Sequence, residues 1–380
     1  MNRFLVVYLS IGSGHSSAAN AIKSGIRLVG DNYKVFCEDL FTPAIRDSVL
    51  PEFLSLSSTV FAPRLYDAAW QSGSMMPGYE FLQSMPLLKN RMMELLENRK
   101  PDLVICTHSL PCSILVNLKN ERDEIPPIAA VSTDFMIHPY WPVTGVDGYV
   151  VGSTKAYERL IELGAPKNKI KLFGIPVDPA AEILSHQRKE RLDGNEPALP
   201  LQVLVLAGGK RLAPYVATWP RTLSLLVDSI SMEEKLVHWN VVCGRPSTFS
   251  KILKETIRDR QDISMFDYVK DFLTLLSRMD FVITKPGGLI LAEAMALGVP
   301  AILVNRGSGQ EAANSEVLLN HRSGFLIETE QEIFDFLTDA VRYPYIYQDA
   351  SRSAFALGKP AATRLAVDWF LKGMPEDYEP

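Results

Sequence analysis

The amino-acid sequence predicts an α/β protein with two doubly wound halves, and two observations carry this prediction. Short apolar runs alternate with longer segments at helical spacing, which is typical of a parallel sheet with crossover helices. The pattern restarts after a polar, proline-bearing stretch at 186–200. The chain has 380 residues, of which 47% are hydrophobic, enough for two cores of roughly 150 to 200 residues each. A disordered chain is thereby excluded.

Each predicted element follows from this alternation. The apolar runs of the first half that indicate buried strands are 4–9, 34–37, 103–107, 128–132 and 148–151. One more run, 170–173, leads into 174–179, whose glycine and two prolines indicate an interdomain hinge. The strands predicted in the second half are 203–207, 236–243, 281–284 and 301–304. We therefore assign 1–175 to an N-terminal domain and 176–354 to a C-terminal domain, with a C-terminal helix at about 355–375 packing back onto the first.

Charge and cysteine content narrow the function classes. The net charge is −5 and only 22% of residues are charged, so the chain lacks the basic field that dominates nucleic-acid binding. Its four cysteines, Cys37, Cys106, Cys112 and Cys243, form no C-x-x-C and lie in or near apolar runs. Buried free thiols and a reducing, cytoplasmic compartment are the expectation.

Targeting and membrane-spanning segments are not expected. The opening apolar run is shorter than a signal-peptide core and leads directly into a glycine loop. No window contains the ~18 to 20 uncharged apolar residues that span a bilayer, so membrane contact would be peripheral.

The first chemical motif is a glycine loop, S-I-G-S-G-H-S-S-A-A at 10–19, between the first strand and a helical segment. Such a loop directs backbone N–H groups and the positive end of a helix toward an anionic or hydroxyl ligand. Its spacing is G-x-G-x-x-S, so the third glycine of the dinucleotide fingerprint is absent. An NAD site with Glu38 or Asp39 as the ribose acid remains a weaker alternative, as does a tight turn without a ligand.

A second strand-glycine-helix unit lies at 281–300. The amides near Gly287, Gly288 and Leu289 could hold a diphosphate, and Glu293, one to two turns into the helix, could bind a ribose hydroxyl pair. An ordinary strand-turn-helix connection that binds no ligand explains the spacing equally well.

Residues 284–300, T-K-P-G-G-L-I-L-A-E-A-M-A-L-G-V-P, with G-Q-E-A-A-N at 309–314, closely resemble the nucleotide-sugar signature of the diacylglycerol glycosyltransferases. This family includes bacterial processive glucosyltransferases and plant monogalactosyldiacylglycerol synthases. G-S-G-H-S-S-A-A-N-A at 12–21 is similar to the family's first-domain motif, and 174–176 to its crossover between domains. Residues 131–135 with His138 and Trp141 are similar to its T-D-F-x-x-H-x-x-W segment. The peptidoglycan N-acetylglucosaminyl transferase shows the same blocks more distantly.

The resemblance implies a GT-B architecture, in which two Rossmann-like domains face a cleft, and transfer of a hexose from a UDP-sugar to a lipid hydroxyl with inversion. It implies the donor-binding residues Gly14, Gly208, Gly209, Tyr268, Val269, Gly287, Gly288, Leu289, Glu293, Gln310 and Glu311. The loop A-G-G-K-R at 207–211 departs from the usual small residues, and 42–86 matches nothing in the family. No cofactor or metal is expected, because the chain has no Asp-x-Asp pair to hold a divalent cation.

An inverting transfer needs a base for the acceptor hydroxyl, and two residues are candidates. His15 has a near-neutral intrinsic pKa and lies in the first glycine loop. Asp134 closes a strand at the carboxyl edge where α/β proteins bind ligands, although a turn or helix-cap role explains it equally well. His108 and His138 also follow strands and are weaker candidates for ligand contact.

The segment at 49–79 has the pattern of an amphipathic insertion. Trp70, Met75 and Met76, with basic residues on either side, suit a headgroup boundary and a lipid acceptor, and we add Phe135 and His138 to this acceptor and membrane set. An apolar stripe within the core is the alternative.

The sequence thus predicts a peripheral enzyme at the cytoplasmic face of an anionic membrane, with a UDP-hexose and a diacylglycerol-type lipid as partners and no nucleic acid. Glucose and galactose differ in the orientation of one hydroxyl, so no spacing distinguishes them. The alternatives are a UDP-N-acetylglucosamine epimerase of the same fold, a transferase with a non-lipid acceptor, an NAD-dependent oxidoreductase and a non-catalytic lipid-binding protein.

Overall fold

The computed structural model describes residues 2–10, 14–45, 79–122, 124–192, 199–206, 237–244, 251, 254–255 and 261–378. The strands of this part form two parallel six-stranded sheets. In spatial order, the first contains Lys34–Asp39, Arg3–Tyr8, Leu103–Cys106, Ile128–Val131, Gly148–Val150 and Ile170–Lys171, and the second contains Gly324–Leu326, Ala301–Leu303, Phe281–Thr284, Leu201–Leu206, Val237–Val242 and Ile263–Phe266. In the described residues a helix lies between most successive strands, although none lies between the strands at 128–131 and 148–150. Each half thus has the pattern of a doubly wound α/β unit. The predicted fold class is confirmed.

The first half comprises β1 (Arg3–Tyr8), α1 (Gly14–Val29), β2 (Lys34–Asp39), α2 (Tyr79–Ser84), α3 (Pro86–Arg99), β3 (Leu103–Cys106), α4 (Ser109–Glu121), β4 (Ile128–Val131), β5 (Gly148–Val150), α5 (Thr154–Glu162) and β6 (Ile170–Lys171). Its interior strand β1, which lies between β2 and β3, is buried on both faces. Leu5 and Val7 pack into the core beneath α2, α3 and α4, whereas Phe4 and Val6 pack into the core beneath α1. This two-sided burial explains why the strands appear in the sequence as continuous apolar runs.

The second half comprises α6 (Ala180–Leu192), β7 (Leu201–Leu206), β8 (Val237–Val242), β9 (Ile263–Phe266), α7 (Phe272–Leu276), β10 (Phe281–Thr284), α8 (Gly288–Ala296), β11 (Ala301–Leu303), α9 (Gln310–Asn320), β12 (Gly324–Leu326), α10 (Glu330–Arg342), α11 (Tyr345–Leu357) and α12 (Ala362–Leu371). Strands β9 and β12 do not appear among the predicted strands. Both are short edge strands, and neither is fully buried, so their sequences lack the continuous apolar run that marked the others.

The last helix, α12, lies against α1 of the first half. Trp369 and Phe370 are buried in the core that also contains Phe4 and Val6. The contact is close because α1 carries Gly25 there, where a Cβ would lie 2.7 Å from the Cγ2 of Thr363. The chain therefore returns to the first sheet after completing the second.

The cysteines are free thiols, as the sequence predicted: Cys106, Cys112 and Cys243 are buried and Cys37 is half-buried. None of the helices in the described part of the chain is long and apolar enough to cross a membrane.

Candidate active site

The carboxyl ends of strands from both sheets face a common cleft, as expected for parallel α/β sheets. Helix α1 packs against α8 across this cleft. A Cβ added at Gly14, the first residue of α1, would lie 3.9 Å from the Cβ of Leu289 in the first turn of α8. The two strand-glycine-helix units identified in the sequence therefore meet, and both positive helix ends point to this region.

The imidazole of His15 is oriented by neighbouring segments of the first domain. Its Nδ1 lies 2.8 Å from the carbonyl oxygen of Thr107 and 3.0 Å from the Oγ1 of Thr133. The hydroxyl of Thr107 donates to the backbone carbonyl of His15 over 3.0 Å. Because a carbonyl oxygen can only accept, Nδ1 carries the proton and Nε2 of the neutral ring carries the lone pair. This is the tautomer that a general base requires.

Asp134 follows β4 and is held by the second domain. Its Oδ1 accepts a hydrogen bond of 2.9 Å from the Nδ2 of Asn314, near the start of α9. Burial raises the pKa of Asp134, while the hydrogen bond from Asn314 and the nearby His15 act in the opposite direction. Both candidate bases thus lie in the same cleft, where each affects the charge of the other.

His108 and His138 form a neutral layer behind His15. The rings of His15 and His108 are in edge contact with centroids 4.7 Å apart, and the ring of His138 packs on Tyr140 at 3.6 Å. Burial lowers the pKa of His108 well below its ordinary value and that of His138 to about 3. In each ring Nδ1 accepts a backbone N–H, that of Leu110 for His108 and that of Tyr140 for His138. Both rings are therefore neutral at physiological pH, with the proton on Nε2.

The start of α8, predicted to hold a diphosphate, lies against the first domain. A Cβ at Gly288 would clash with the carbonyl oxygen of Thr133 and lie 2.8 Å from Oδ1 of Asp134. Glycine at this position therefore permits the close approach of the two domains, in addition to exposing the helix amides. In this arrangement the carboxylate of Asp134 lies near the positive end of α8, where the sequence placed the diphosphate.

Glu293 is half-buried in α8, one to two turns beyond these glycines. Burial and the negative charge of Asp178 raise the pKa of Glu293 to about 8. Asp178 lies in the segment that joins the two halves, and its Oδ1 accepts from the amide of Ala180 over 2.9 Å. The Glu293 carboxyl is consequently mostly protonated at neutral pH, which its sequence neighbours do not reveal.

Gln310 and Glu311 begin α9 at the same cleft. Glu311 forms an ion pair of 2.6 Å with Lys285, and the side chain of Gln310 hydrogen-bonds to Asp134. Lys285 precedes α8, so this ion pair connects the two motifs that the sequence assigned to donor recognition.

The remaining predicted site residues do not form a single group in the described part of the chain. Tyr268 is 76% exposed and follows β9 together with half-buried Val269. Phe135 is only 4% exposed and packs with Leu291 and Ile175, which makes its side chain part of the core between the domains and removes it from any membrane surface. Gly208, Gly209, Trp70, Met75 and Met76 lie outside the described residues.

The two acids predicted to bind the ribose of the alternative NAD site, Glu38 and Asp39, both make structural contacts. The carboxylate of Glu38 is paired with Arg99 at 2.6 Å, and Oδ1 of Asp39 accepts the backbone amides of Ser10 and Phe41. Both acids therefore have structural partners at the end of β2.

Sequence reasoning missed Asn314, Thr107 and Thr133 as site residues. Asn314 lies in the recognised block at 309–314, and its distance of four residues from Gln310 places both on one face of α9. The two threonines carried no signal of their own, because hydroxyl residues after strands are common in every α/β protein.

Comparison with known proteins defines the class. Residues 15–177 match the model of the monogalactosyldiacylglycerol (MGDG) synthase family, and residues 217–342 match that of glycosyl transferases group 1. The structure superposes on S. aureus MnaA bound to UDP with a TM-score of 0.65 at 12% identity, covering 100% of this chain and 99% of that one. Acinetobacter baumannii MurG gives 0.59 at 14% identity, with 98% and 100% covered. The chain is a glycosyltransferase of GT-B architecture.

The resemblance to diacylglycerol glycosyltransferases is also confirmed. The processive diacylglycerol beta-glucosyltransferase of Bacillus pumilus is 26% identical over 349 residues, covering 90% of this chain and 87% of the relative. That of Bacillus subtilis is 28% identical over 253 residues, covering 65% and 63%.

Proposed function

We propose that the chain transfers a hexose from a UDP-sugar to diacylglycerol or a related lipid, with inversion, at the cytoplasmic face of the membrane. The observation that carries this proposal is the orientation of His15. Its Nδ1–H is bound to the carbonyl oxygen of Thr107, and the preceding residue, Gly14, faces Leu289 in the first turn of α8 across the cleft. A base in the first domain thus lies opposite the helix that is suited to bind a diphosphate.

In the proposed reaction the donor diphosphate binds at the amides of Gly287, Gly288 and Leu289, and its ribose binds Glu293. The Asp134 carboxylate lies near this helix end in the structure, so donor binding requires a small separation of Asp134 from Gly288. The positive end of α8 then stabilises the charge that develops on the departing UDP. No metal is required for this step in the proposal.

On the acceptor side, Nε2 of His15 takes the proton of the lipid hydroxyl while the oxygen of that hydroxyl attacks the anomeric carbon of the sugar. The bond between that carbon and the UDP oxygen breaks, and attack from the opposite face inverts the configuration. The hydrogen bond from Nδ1 to Thr107 holds the ring in position and stabilises the imidazolium that forms. Asp134 provides a negative charge near that imidazolium, and it is the alternative base.

The aromatic residues behind His15 are suited to the glyceryl part of the acceptor. The rings of Tyr79 and Tyr140 stack with centroids 4.3 Å apart, and the Tyr79 hydroxyl donates to Oγ of Ser109 over 2.8 Å. Nearby, α2 and α3 expose Phe81 and Leu87, with exposed fractions of 58% and 46%. These apolar side chains flank the segment at 49–79 and support membrane contact on this face.

The decisive experiment incubates the purified chain with radiolabelled UDP-glucose or UDP-galactose and diacylglycerol in mixed micelles. A labelled glycolipid with the β configuration supports the proposal, and its identity selects the hexose. His15→Ala should lower product formation by about 10² to 10⁴. His186→Ala serves as the matched control, because His186 is exposed on α6 and its Nε2 lies 3.3 Å from Glu190 of the same helix. If the parent forms no glycolipid but transfers sugar to a water-soluble acceptor, the lipid assignment is wrong.

A further inference from the structure

The side chain of Asn314 connects the two domains through three hydrogen bonds. It is fully buried near the start of α9. Its Oδ1 accepts the backbone N–H of Phe135 over 2.9 Å, and its Nδ2 donates to Oδ1 of Asp134 over 2.9 Å and to the carbonyl of Pro286 over 3.1 Å. The first two partners belong to the first domain, and Pro286 lies just before α8 of the second.

Only a primary amide satisfies these three partners at once. Phe135 presents a donor, whereas Asp134 and Pro286 present acceptors, so the residue must offer one acceptor and two donors at the end of a short stem. A carboxylate would place a third acceptor against two others. An alanine would leave the buried Phe135 amide and Pro286 carbonyl without this partner and would remove one of the hydrogen bonds to Asp134, which is costly in a site of low dielectric.

The contact is also connected to the candidate base. Thr133 precedes Asp134, and its Oγ1 lies 3.0 Å from Nδ1 of His15. Gly288 contacts the same segment at Thr133 and Asp134. The short stretch 133–135 therefore links His15 on one side to Asn314 and the start of α8 on the other.

We propose that Asn314 is a positioning residue for sugar transfer: it closes the cleft by holding the segment 133–135, and so sets Asp134 and His15 relative to the donor at α8. This inference rests on the proposed function. Asn314 acts through Asp134 and the backbone of Phe135, and it does not itself exchange a proton with substrate.

The first test compares Asn314→Ala with Ser315→Ala in kinetics. Ser315 is equally buried in α9, but within the described residues its hydroxyl donates to the carbonyls of Arg306 and Glu311, both in the second domain. Asn314→Ala should lower kcat by about 10- to 100-fold, the effect of misplacing reacting groups by about 1 Å, without raising the UDP dissociation constant more than about threefold. Ser315→Ala should keep kcat within about threefold of the parent. Equal losses in both variants would overturn the proposal.

A second, isosteric variant provides a signature that a purely structural role would not show. In Asn314→Asp a second carboxyl group lies against that of Asp134. The charges of His15 in α1 and Glu311 in α9 also act on Asp134. The two carboxyls can share one proton, so the pair regains a hydrogen bond when one of them is protonated. The ratio of kcat for Asn314→Asp to that of the parent should therefore rise at least fivefold as pH falls from about 8 to about 5.5. A ratio independent of pH would contradict the proposed contact.

Hydrogen exchange tests the same contact without any sugar transfer. The Phe135 amide donates to Asn314, so Asn314→Ala should accelerate its exchange by at least tenfold, whereas the amide of Ala130 within β4 should be unchanged. If the parent transfers no hexose to any lipid, the proposed function fails while faster exchange at Phe135 still supports the interdomain contact. Unchanged exchange at Phe135 refutes the contact whatever the activity.

Discussion

The proposed ribose contact of Glu293 predicts that donor affinity depends on pH. Burial and the charge of Asp178 raise the pKa of Glu293 to about 8, so most of these carboxyls hold a proton at pH 7. A carboxylate that accepts from both ribose hydroxyls must be ionised, because a protonated carboxyl uses one oxygen as a donor. Donor binding therefore releases a proton.

The size of the effect follows from the ionised fraction. With a pKa of about 8, the fraction is about 1% at pH 6 and about 50% at pH 8, so affinity should rise by up to about fiftyfold if only the ionised form binds. We expect at least a tenfold rise for UDP-glucose in calorimetry between these pH values. Donor affinity should rise with pH, because the ionised carboxyl of Glu293 is the form that binds the ribose, and a raised pKa depletes this form at low pH.

Two variants isolate Glu293 from other titrating groups such as His15. Glu293→Gln has no ionisable carboxyl, so its affinity should be independent of pH over the same range. Asp178→Asn removes the neighbouring negative charge and should move the rise in affinity to lower pH. A parent affinity that changes by less than threefold, or a slope that persists in Glu293→Gln, would refute the assignment of Glu293 to the ribose.

The other predictions concern the base, the metal and the membrane. His15→Ala should lower turnover by about 10² to 10⁴ with little change in UDP affinity; if it retains more than about a tenth of the parent turnover while Asp134→Asn does not, the base is Asp134. Activity should persist in excess EDTA, and a strict requirement for added Mg²⁺ or Mn²⁺ would contradict the proposed role of α8. Replacing Trp70, Met75 and Met76 together with Ser should reduce sedimentation with anionic vesicles, in a salt-dependent manner, and leave UDP binding intact. Unchanged vesicle binding would assign these residues to a core or a protein contact.

Most of the strands that were predicted well are buried on both faces, and the edge strands β2 and β6 are the exceptions. Phe281–Thr284 in β10 was predicted with its observed bounds, and the other predicted strands agree to within a few residues. Two-sided burial requires a continuous apolar run, which a sequence displays directly. Edge strands β9 and β12 lack that requirement, and they were missed.

Local sequence also predicted where the two helices that follow glycine loops begin. A glycine loop between a strand and a helix is a local feature, so the positions of Gly14 and Gly288 at helix starts could be anticipated. What each glycine contacts depends on the other domain. Gly288 faces Thr133 and Asp134, which are about 150 residues away along the chain, and a contact over that separation leaves no periodic or spacing signal.

The sequence by itself determined the two parallel sheets, the buried thiols and the presence of two glycine loops, because burial and backbone freedom restrict residue types locally. Only the tertiary structure decided the tautomer of His15, the raised pKa of Glu293 and the bonds of Asn314 to Asp134 and Phe135. Each of these depends on groups brought together from distant parts of the chain. Hydrogen bonds and charges act over a few ångströms in space, so their effect on a side chain is set by packing and is not encoded at any single position.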